Sequence, residues 1–382
     1  MSSTAPAPEP TDAELAPETD ERTTVAVLFG GRSSEHAISC ATASGVLGAI
    51  DRDRFEVVPV GITRDGAVTL QPDDAALFAL DAEQLPEVRD NGTRVRWPET
   101  AGSRELTVTE PDGSSRLLGE VDVVFPILHG RFGEDGTVQG LLELVGLPYV
   151  GAGLLASAVG MDKHFTKTVL REAGIAVAPW RTVRAREWAA SPEAVAAEVA
   201  SLGFPLFVKP ARAGSSVGVS RVDAPEQLAA AMAVGLAEDV KVLVEAGVVG
   251  RELECAVLGG RDGGAPRTSV AGEIVLGADG FYDFESKYLG GDGAGLVCPA
   301  PLAADELAEM QRLAALAFES VDGTGLARVD FFLTDEGWVV NEINTMPGFT
   351  PISMFPACWL ASGLSYPELI TELIELGLET DR

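Results

Sequence analysis

The sequence predicts a mixed α/β and α+β protein in which an open sheet comes first along the chain. Its 382 residues exceed the length of a typical single domain, so two or three domains are expected. An apolar strand, a glycine turn, a helix and a second strand follow one another between residues 25 and 60, as in a β-α-β unit. Later segments alternate apolar and polar residues between short turns, which is typical of antiparallel strands.

Composition narrows the range of partners. Hydrophobic residues make up 46% of the chain and charged residues 23%, as in soluble globular proteins. A formal net charge of −30 repels nucleic acid and anionic membranes, so neither is expected as a partner. The chain lacks an apolar run of membrane-spanning length and a signal-peptide pattern, which predicts a cytoplasmic location. Wide spacing without a C-x-x-C pair predicts free thiols at Cys40, Cys255, Cys298 and Cys358.

The predicted elements divide the chain into four segments. Residues 1–22 are acidic and rich in Pro and Thr, which predicts a disordered tail. Residues 23–150 form an N-terminal α/β substrate domain, residues 151–239 a central subdomain and residues 240–382 a C-terminal subdomain. The glycine- and aromatic-rich stretch 278–298 breaks the strand periodicity, so it is either a mobile lid or an unremarkable insertion.

Polar loops end two predicted strands of the N-terminal domain. Val25–Phe29 leads into a Gly-Gly turn and Glu35, and Val121–Leu128 leads into His129. Open α/β sheets bind ligands at the carboxyl ends of their strands, so these loops are candidate ligand contacts. The alternatives are simple turn geometry for the Gly-Gly turn and a core or capping role for His129.

Periodicity and turn residues predict the remaining elements. Residues 71–118 are hard to assign and are predicted as short strands with turns at Asn91-Gly92 and Asp112-Gly113. The other predicted helices cover 37–50, 137–145, 161–173, 192–201, 225–236, 304–321 and 366–376, and the other predicted strands cover 55–60, 180–183, 204–210, 217–222, 240–247, 251–258 and 267–276.

A small loop, residues 211–218, lies between two predicted strands and follows Lys209 directly. Gly and Ser residues let backbone N–H groups approach phosphates, and the lysine supplies a cation. The lysine precedes the loop and no helix follows it, so it is not a Walker A loop. The alternative is an ordinary hairpin turn. Lysines are scarce, so their positions are informative: Lys163, Lys167, Lys209, Lys241 and Lys287 are the whole set.

The segment 325–350 predicts a hairpin with a polar face. Arg328 and Asp330 share one face of the first strand because alternate residues point the same way, and Glu342 and Asn344 share a face of the second. Carboxylate and amide oxygens are the ligands that Mg²⁺ prefers, which makes this a candidate metal site. The alternative is a hairpin whose polar face meets solvent.

Six motifs, taken together, resemble the D-alanine–D-alanine ligase family of the ATP-grasp superfamily. They occur in family order across residues 24–376. The motifs are Gly30–Ser39, His129–Gln139, Met161–Lys163, Val208–Gly218, Phe281–Tyr288 and Arg328–Gly348.

The resemblance implies an ATP-grasp fold with an N-terminal open-sheet (pre-ATP-grasp) domain. It also implies a carboxylate–amine ligase for peptidoglycan precursor synthesis: ATP phosphorylates one D-alanine carboxylate, and the amine of a second D-alanine attacks the acyl phosphate. The implied cofactors are ATP and two Mg²⁺ or Mn²⁺ ions, with activation by a monovalent cation left open. The implied assembly is a homodimer through the N-terminal domain.

The resemblance further implies roles for residues at matching positions. Those nearest the amino acid substrates are Glu35 and His129 at the first ammonium, Ser215 and Tyr288 in a network with Glu35, Arg328 and the Gly348 N–H as oxyanion donors, and Ser353 and Met354 at the second carboxylate. Those nearest the nucleotide are Lys163, Lys209, Ser216 and Lys287 at phosphates, Glu245 and Glu252 at adenosine, and Asp330, Glu342 and Asn344 at the metal ions. From its position at a strand end alone, Glu245 could equally lie in solvent.

Two other functions remain. Relatives that make D-alanyl-D-lactate are similar throughout the hairpin and differ mainly in the lid, where Tyr288 looks like the dipeptide-forming type. A non-catalytic nucleotide-binding module would be expected to have lost some of Lys209, Arg328, Asp330 or Glu342, and the sequence retains them all.

Overall fold

The computed structural model describes residues 22–81, 84–276 and 294–379, and the statements below concern these residues. Almost all of the predicted tail and most of the predicted lid, including Lys287 and Tyr288, lie outside them. Among the described residues, the helices are too short or too polar to cross a membrane.

The first sheet contains the predicted β-α-β unit, which is confirmed. Its strands run in the order β3-β2-β1-β7, and β1 is parallel to both β2 and β7. The loops carrying Glu35 and His129 therefore leave neighbouring strands at the same edge of the sheet. The elements are β1 (Thr23–Gly30), α1 (His36–Ala49), β2 (Phe55–Ile62), β3 (Val68–Leu70), β7 (Val123–Ile127) and α2 (Thr137–Val145).

The segment that was hard to assign forms a small antiparallel sheet in the order β4-β5-β6. The strands are β4 (Arg94–Arg96), β5 (Glu105–Thr109) and β6 (Ser115–Glu120), and a one-turn 3₁₀ helix covers Ala75–Phe78. Both predicted turns are confirmed: Gly92 and Gly113 have φ of 83° and 86°, a region that favours glycine.

The central sheet has the order β10-β9-β11-β8, with antiparallel neighbours. Its elements are β8 (Trp180–Arg184), α5 (Ala185–Ala190), α6 (Pro192–Ala200), β9 (Leu206–Pro210), β10 (Ser220–Val222), α7 (Leu228–Glu238) and β11 (Lys241–Ala246). Residues 211–219 form the β9–β10 loop. The strand predicted from Val217 begins only at Ser220, because left-handed residues extend the loop.

The helix predicted to start in the segment Met161-Asp-Lys163 is confirmed, but a helix that was not predicted ends at Met161, just before it. A first helix, α3 (Leu154–Met161), ends there, and α4 (Lys163–Glu172) follows it. Asp162 separates them because its backbone is extended, and its carboxylate accepts hydrogen bonds from the N–H groups of His164 at 3.2 Å and Phe165 at 3.4 Å. This junction places Lys163 at the first position of α4.

The third sheet is antiparallel throughout and has the order β14-β13-β12-β15-β16. The hairpin predicted from residues 325–350 is β15 and β16 at its edge, and it is confirmed. The elements are β12 (Arg251–Leu258), β13 (Arg267–Leu276), β14 (Ala294–Val297), α8 (Ala304–Ser320), β15 (Leu326–Thr334), β16 (Gly337–Asn344), α9 (Met354–Ala361) and α10 (Tyr366–Glu379).

A β-bulge interrupts this hairpin. Asp330 pairs with Glu342, but the next pair is Phe331 with Val340, so Asn341 is the extra residue. Strict alternation would point Asn341 and Glu342 to opposite faces. With the bulge, both side chains line the same pocket.

Strand β1 is buried on both faces, and alternate residues enter different cores. Val25, Val27 and Phe29 pack in a core with residues of α1, α9 and α10, including Phe355 and Leu373. The intervening β1 residues pack with β5 and α2 in a second core. The last two helices of the chain therefore complete the core of its first strand.

Candidate active site

Two adjoining pockets lie where the three large sheets approach one another. Pocket A is lined by residues that include Lys163, Lys209, Ser216 and Asn341. Pocket B is lined by residues that include Glu35, His129, Arg328, Gly348, Ser353 and Met354. Both pockets include Glu134, Gly214, Ser215, Glu342 and Asn344. The fold thus brings together segments that are far apart in sequence.

Glu35 joins the N-terminal domain to the β9–β10 loop. The Ser215 hydroxyl donates to Glu35 Oε1 over 2.5 Å. Glycines make room for this carboxylate: a Cβ added at Gly130 would lie 2.4 Å from Glu35 Oε2, and one at Gly214 would lie 3.1 Å from it. Glu35 therefore lies between two backbone segments. A residue larger than glycine at position 130 or 214 would crowd its carboxylate.

The β9–β10 loop has a backbone suited to anions. Ser215 and Ser216 have φ of 49° and 58°, which is uncommon for residues other than glycine. Such strained positions cluster at ligand-binding sites. Lys163 fixes the loop from α4, because its N–H donates to Ala211 O over 3.0 Å and its Nζ donates to Ala213 O over 3.1 Å.

Lys163 also links α4 to the hairpin. Its Nζ lies 3.0 Å from Glu342 Oε2. Burial lowers the pKa of Lys163, but attraction by Glu342 outweighs burial, so its pKa is raised above the usual range. A lysine held charged at the floor of pocket A is suited to bind a phosphate.

Glu245 does not lie in solvent. It is 3% exposed, its Oε2 lies 2.9 Å from Lys209 Nζ, and its Oε1 pairs with Lys167, which is 1% exposed. Burial raises the pKa of Glu245, but the two lysines outweigh that effect and its pKa is lowered. Lys209 Nζ also donates to Asn341 Oδ1 over 3.3 Å, which joins the central sheet to the bulge.

Arg328 lies between two carboxylates on the hairpin face. Its guanidinium makes a two-pronged pair with Asp330, with both N–O distances 2.7 Å, and its Nε lies 3.1 Å from Glu254 Oε2. Burial lowers the pKa of Arg328, but the carboxylates outweigh burial and hold its pKa well above the usual range. Asn344 Nδ2 donates to Asp330 Oδ2 over 2.9 Å.

The side-chain oxygens on the polar face of the hairpin are chemically suited to bind Mg²⁺ or Mn²⁺. Asp330, Glu342 and Asn344 offer hard oxygen ligands, and the register places Glu342 directly opposite Asp330. Asn344 turns its amide nitrogen toward Asp330, which leaves its oxygen for other partners. In the described residues, no cluster of three or more His, Cys, Asp or Glu could hold a metal ion, so the amide oxygen is needed to complete a three-residue site.

His129 is buried and lines pocket B, so its two predicted roles coincide. Its Nε2 lies 3.1 Å from Thr42 Oγ1, and its Nδ1 lies 3.1 Å from Met346 O. A carbonyl only accepts, so the proton is on Nδ1. Burial lowers the pKa of His129 and favours the neutral ring. His129 thereby fixes the segment that leads to Gly348.

Glu134 fixes the same segment from the other side. Its Oε1 accepts from the Met346 N–H over 3.2 Å and its Oε2 accepts from the Gly130 N–H over 2.5 Å. Burial, with a smaller contribution from Glu35, raises the pKa of Glu134 from an ordinary 4.5 to about 8. Glu134 thus gains a proton near neutral pH at the junction of the two pockets.

This raised pKa predicts a pH-dependent stability. Between pH 4.5 and about 8 the folded protein binds the Glu134 proton more tightly than the unfolded chain does. The contribution of this group is therefore full below pH 4.5 and is lost as the pH rises toward 8. We expect the free energy of unfolding of the wild type, measured in urea, to fall relative to that of Glu134→Gln over this range. Parallel pH profiles for the two proteins would contradict the assignment.

Ser353 lines pocket B at the position just before a helix, and its side chain makes no capping hydrogen bond to that helix. Its Oγ accepts from the Thr350 N–H over 3.1 Å, and α9 begins at the next residue, Met354. Met354 is buried against Gly272, where a Cβ would lie 2.2 Å from its sulfur.

Three predicted site residues of the described chain do not line either pocket: Glu245, Glu252 and Asp330. Glu245 and Asp330 contact lining residues through Lys209 and Arg328. Glu252 lies on β12 opposite Phe332 of β15.

Sequence reasoning missed Glu134, Asn341, Lys167 and Glu254. Glu134 lies within the His129–Gln139 motif, and Glu254 lies on the same strand face as Glu252, so both could have been noticed. Asn341 depends on the bulge, and Lys167 on the burial of α4, which no local pattern reveals.

Comparisons with known proteins agree over most of the chain. The family model described as D-ala D-ala ligase N-terminus matches residues 24–152, and the one described as D-ala D-ala ligase C-terminus matches residues 169–375. The D-alanine--D-alanine ligase of Paenarthrobacter aurescens is 55% identical over 360 residues, covering 94% of this chain and 95% of that protein. That of Arthrobacter sp. strain FB24 is 56% identical over 357 residues, covering 93% and 94%.

Solved structures show the same fold. The D-alanine-D-alanine ligase from Coxiella burnetii superposes with a TM-score of 0.78 at 35% identity, covering 94% of each chain. The VanG D-Ala:D-Ser ligase from Enterococcus faecalis superposes with a TM-score of 0.79 at 34% identity, covering 93% of this chain and 99% of that one.

Proposed function

The chain belongs to the D-alanine–D-alanine ligase family and is an ATP-grasp enzyme that joins two D-alanine molecules with the use of ATP; we propose that pocket B holds the two amino acids and pocket A the phosphates of ATP. The observation that carries this proposal is the set of residues common to both pockets, Glu134, Gly214, Ser215, Glu342 and Asn344. A phosphoryl group in one pocket and a carboxylate in the other can meet only at such a boundary.

In pocket B, Glu35 receives the ammonium group of the first D-alanine beside His129. The first D-alanine carboxylate then points toward Arg328 and the Gly348 N–H, which stabilise the oxyanion formed when the second amine attacks the acyl phosphate. The second D-alanine carboxylate lies near Ser353 and Met354. Ser215 links Glu35 to the β9–β10 loop, so the position of the first substrate is coupled to that of the phosphates.

In pocket A, two lysines and a serine from three segments would bind the triphosphate. Lys163 begins α4, Lys209 is the second-last residue of the apolar strand β9, and Ser216 lies in the loop between β9 and β10. Glu245 and Glu252 would contact adenosine, and ATP must then compete with the pair between Glu245 and Lys209. We infer that nucleotide binding releases Lys209 from Glu245 toward phosphate oxygens.

Asp330, Glu342 and Asn344 would hold two Mg²⁺ or Mn²⁺ ions, which neutralise charge on the transferring phosphoryl group. For Asp330 to bind a metal ion, at least one of the two hydrogen bonds that it accepts from Arg328 must break. Loss of this hydrogen bond to Asp330 would also let the Arg328 guanidinium turn toward the substrate in pocket B.

Lys287 and Tyr288, outside the described residues, would complete the site from the lid, with Lys287 at the phosphates and Tyr288 in the network of Glu35 and Ser215. We expect Lys287→Ala to fold normally and to lose most of its turnover, because an acyl phosphate left open to water is hydrolysed. The measurement is phosphate release against dipeptide formed. Near-normal coupled turnover in this variant would remove the lid from the mechanism.

Further parts of the proposal concern the whole protein. We propose that the protein is a cytoplasmic homodimer formed through the N-terminal domain. We propose that its product is used for peptidoglycan precursors. The proposed domain boundaries lie near residues 150 and 239. Activation by a monovalent cation is tested by replacing K⁺ with an organic cation in the assay.

One assay tests the substrate assignment. The protein is incubated with ATP and Mg²⁺, and with D-alanine alone or mixed with D-lactate or D-serine, and the products are weighed by mass spectrometry. We expect D-alanyl-D-alanine, with one ADP and one phosphate for each dipeptide, and no product from L-alanine. Depsipeptide as the only mixed-substrate product would contradict the proposed role of Tyr288, and ATP binding without any product would favour a non-catalytic module.

A further inference from the structure

Two of the four free thiols lie in contact beside pocket B. The Sγ atoms of Cys298 and Cys358 are 3.7 Å apart, although the residues are separated by 60 positions in sequence. Cys298 is partly exposed and follows β14 directly, and Cys358 is 1% exposed within α9. A disulfide has an S–S length of about 2.05 Å, so the two sulfurs need to approach by roughly 1.6 Å to bond.

We propose that Cys298 and Cys358 are a redox-modification site, in which a reversible disulfide joins the end of β14 to α9 and slows the reaction in pocket B. The oxidant would be a hydroperoxide. In a reducing compartment such a bond forms transiently and is reversed by thiols.

The chemistry balances as a two-electron oxidation. The Cys298 thiolate attacks the peroxide, the O–O bond breaks and a sulfenic acid forms, while the leaving hydroxide or alkoxide takes up the proton released by the Cys298 thiol and departs as water or an alcohol. The Cys358 sulfur then attacks the Cys298 sulfur, the S–O bond breaks, and the leaving hydroxide takes the Cys358 proton as water. Two thiols lose two electrons and two protons, and the peroxide is reduced.

The surroundings distinguish these thiols from the other two. Contact with Cys358 lowers the pKa of Cys298, which favours the reactive thiolate, whereas the same contact together with burial raises the pKa of Cys358. The exposed partner is thus the attacking group and the buried partner resolves it. Burial raises the pKa of Cys40 and that of Cys255 to about 12, so these thiols are poor nucleophiles.

The position of the pair explains why oxidation should affect turnover. Leu296, two residues before Cys298, lines pocket B. Ser353 and Met354, at the start of α9, also line pocket B. Closing the gap of roughly 1.6 Å between the sulfurs ties together a strand end and a helix that both carry residues of pocket B, and a misplacement of about 1 Å can cost about 10²-fold in rate. The effect on turnover rests on the proposed role of pocket B, but the formation of the bond does not.

The test treats the full-length protein with hydrogen peroxide, alkylates the remaining thiols and digests the chain for mass spectrometry. We expect a cross-linked peptide joining Cys298 to Cys358, lighter by two hydrogens than the sum of its parts and absent after dithiothreitol. Dipeptide formation should fall at least about tenfold and return with dithiothreitol. Cys358→Ser should give no cross-link and keep its rate through oxidation and reduction, and Cys40→Ser should behave as the wild type.

Two results would overturn the proposal. Treatment that oxidises Cys298 without any cross-link to Cys358 would rule out the disulfide. A quantitative cross-link with an unchanged rate would rule out its control of pocket B. If even the reduced protein makes no dipeptide, the proposed function fails, while the mass measurement still decides whether the thiols pair.

Discussion

Arg328→Met should lower kcat by about 10²- to 10³-fold, the typical cost of removing one oxyanion donor. It should also lower the free energy of unfolding by about 3 kcal/mol, because Asp330 and Glu254 would lose the cation between them in a largely buried site. The measurements are steady-state kinetics at saturating ATP and D-alanine, with urea unfolding of the same preparations. Both effects come from one side chain, so they should appear together.

Two further variants separate the causes. Arg328→Lys keeps the positive charge but loses the two-pronged geometry, so it should recover stability more than turnover. Arg312→Met removes an exposed arginine that pairs with Glu309, and it should leave both stability and kcat close to those of the wild type. A folded Arg328→Met protein with near wild-type kcat would exclude Arg328 as an oxyanion donor.

Glu342→Gln should lower kcat by about two orders of magnitude or more, since a bound divalent ion contributes several kcal/mol to phosphoryl transfer. The change preserves shape but removes a charge opposite Asp330 and beside Lys163. The Mg²⁺ concentration needed for half-maximal rate should therefore rise. Titration of Mg²⁺ and of Mn²⁺ at fixed ATP gives both quantities.

The matched control is Glu336→Gln, an exposed residue in the turn of the same hairpin. It changes the net charge by the same amount and should leave both the rate and the metal dependence unchanged. If Glu342→Gln needs no more Mg²⁺ than the wild type, Glu342 is not a metal ligand, and its pair with Lys163 is its main role.

Local patterns in the sequence were enough for most of the architecture. Alternation along residues 325–344 predicted that Arg328 and Asp330 share one strand face and that Glu342 and Asn344 share another, and the structure places the two pairs opposite each other. The glycine turns and the buried strands β1 and β7 were equally clear.

The features that the sequence did not predict depend on contacts between segments that are distant along the chain. Helix α9 was missed because Met354–Ala361 is apolar nearly all round and has no amphipathic period, as expected of a helix buried on several sides. The bulge at Asn341 is a property of two paired strands, not of either alone. The burial of Lys167 is stabilised by Glu245, a strand residue distant in sequence, so no pattern near Lys167 in the sequence indicates it.

The core that α10 shares with β1 has a consequence for biosynthesis. A ribosome releases the first strand long before residues 366–379 exist, so the core that contains Val27 and Phe29 stays incomplete, even with α1 in place, until translation finishes. Nascent chains stalled before α10 should therefore recruit chaperones that bind apolar surface, and release of the completed chain should end that association.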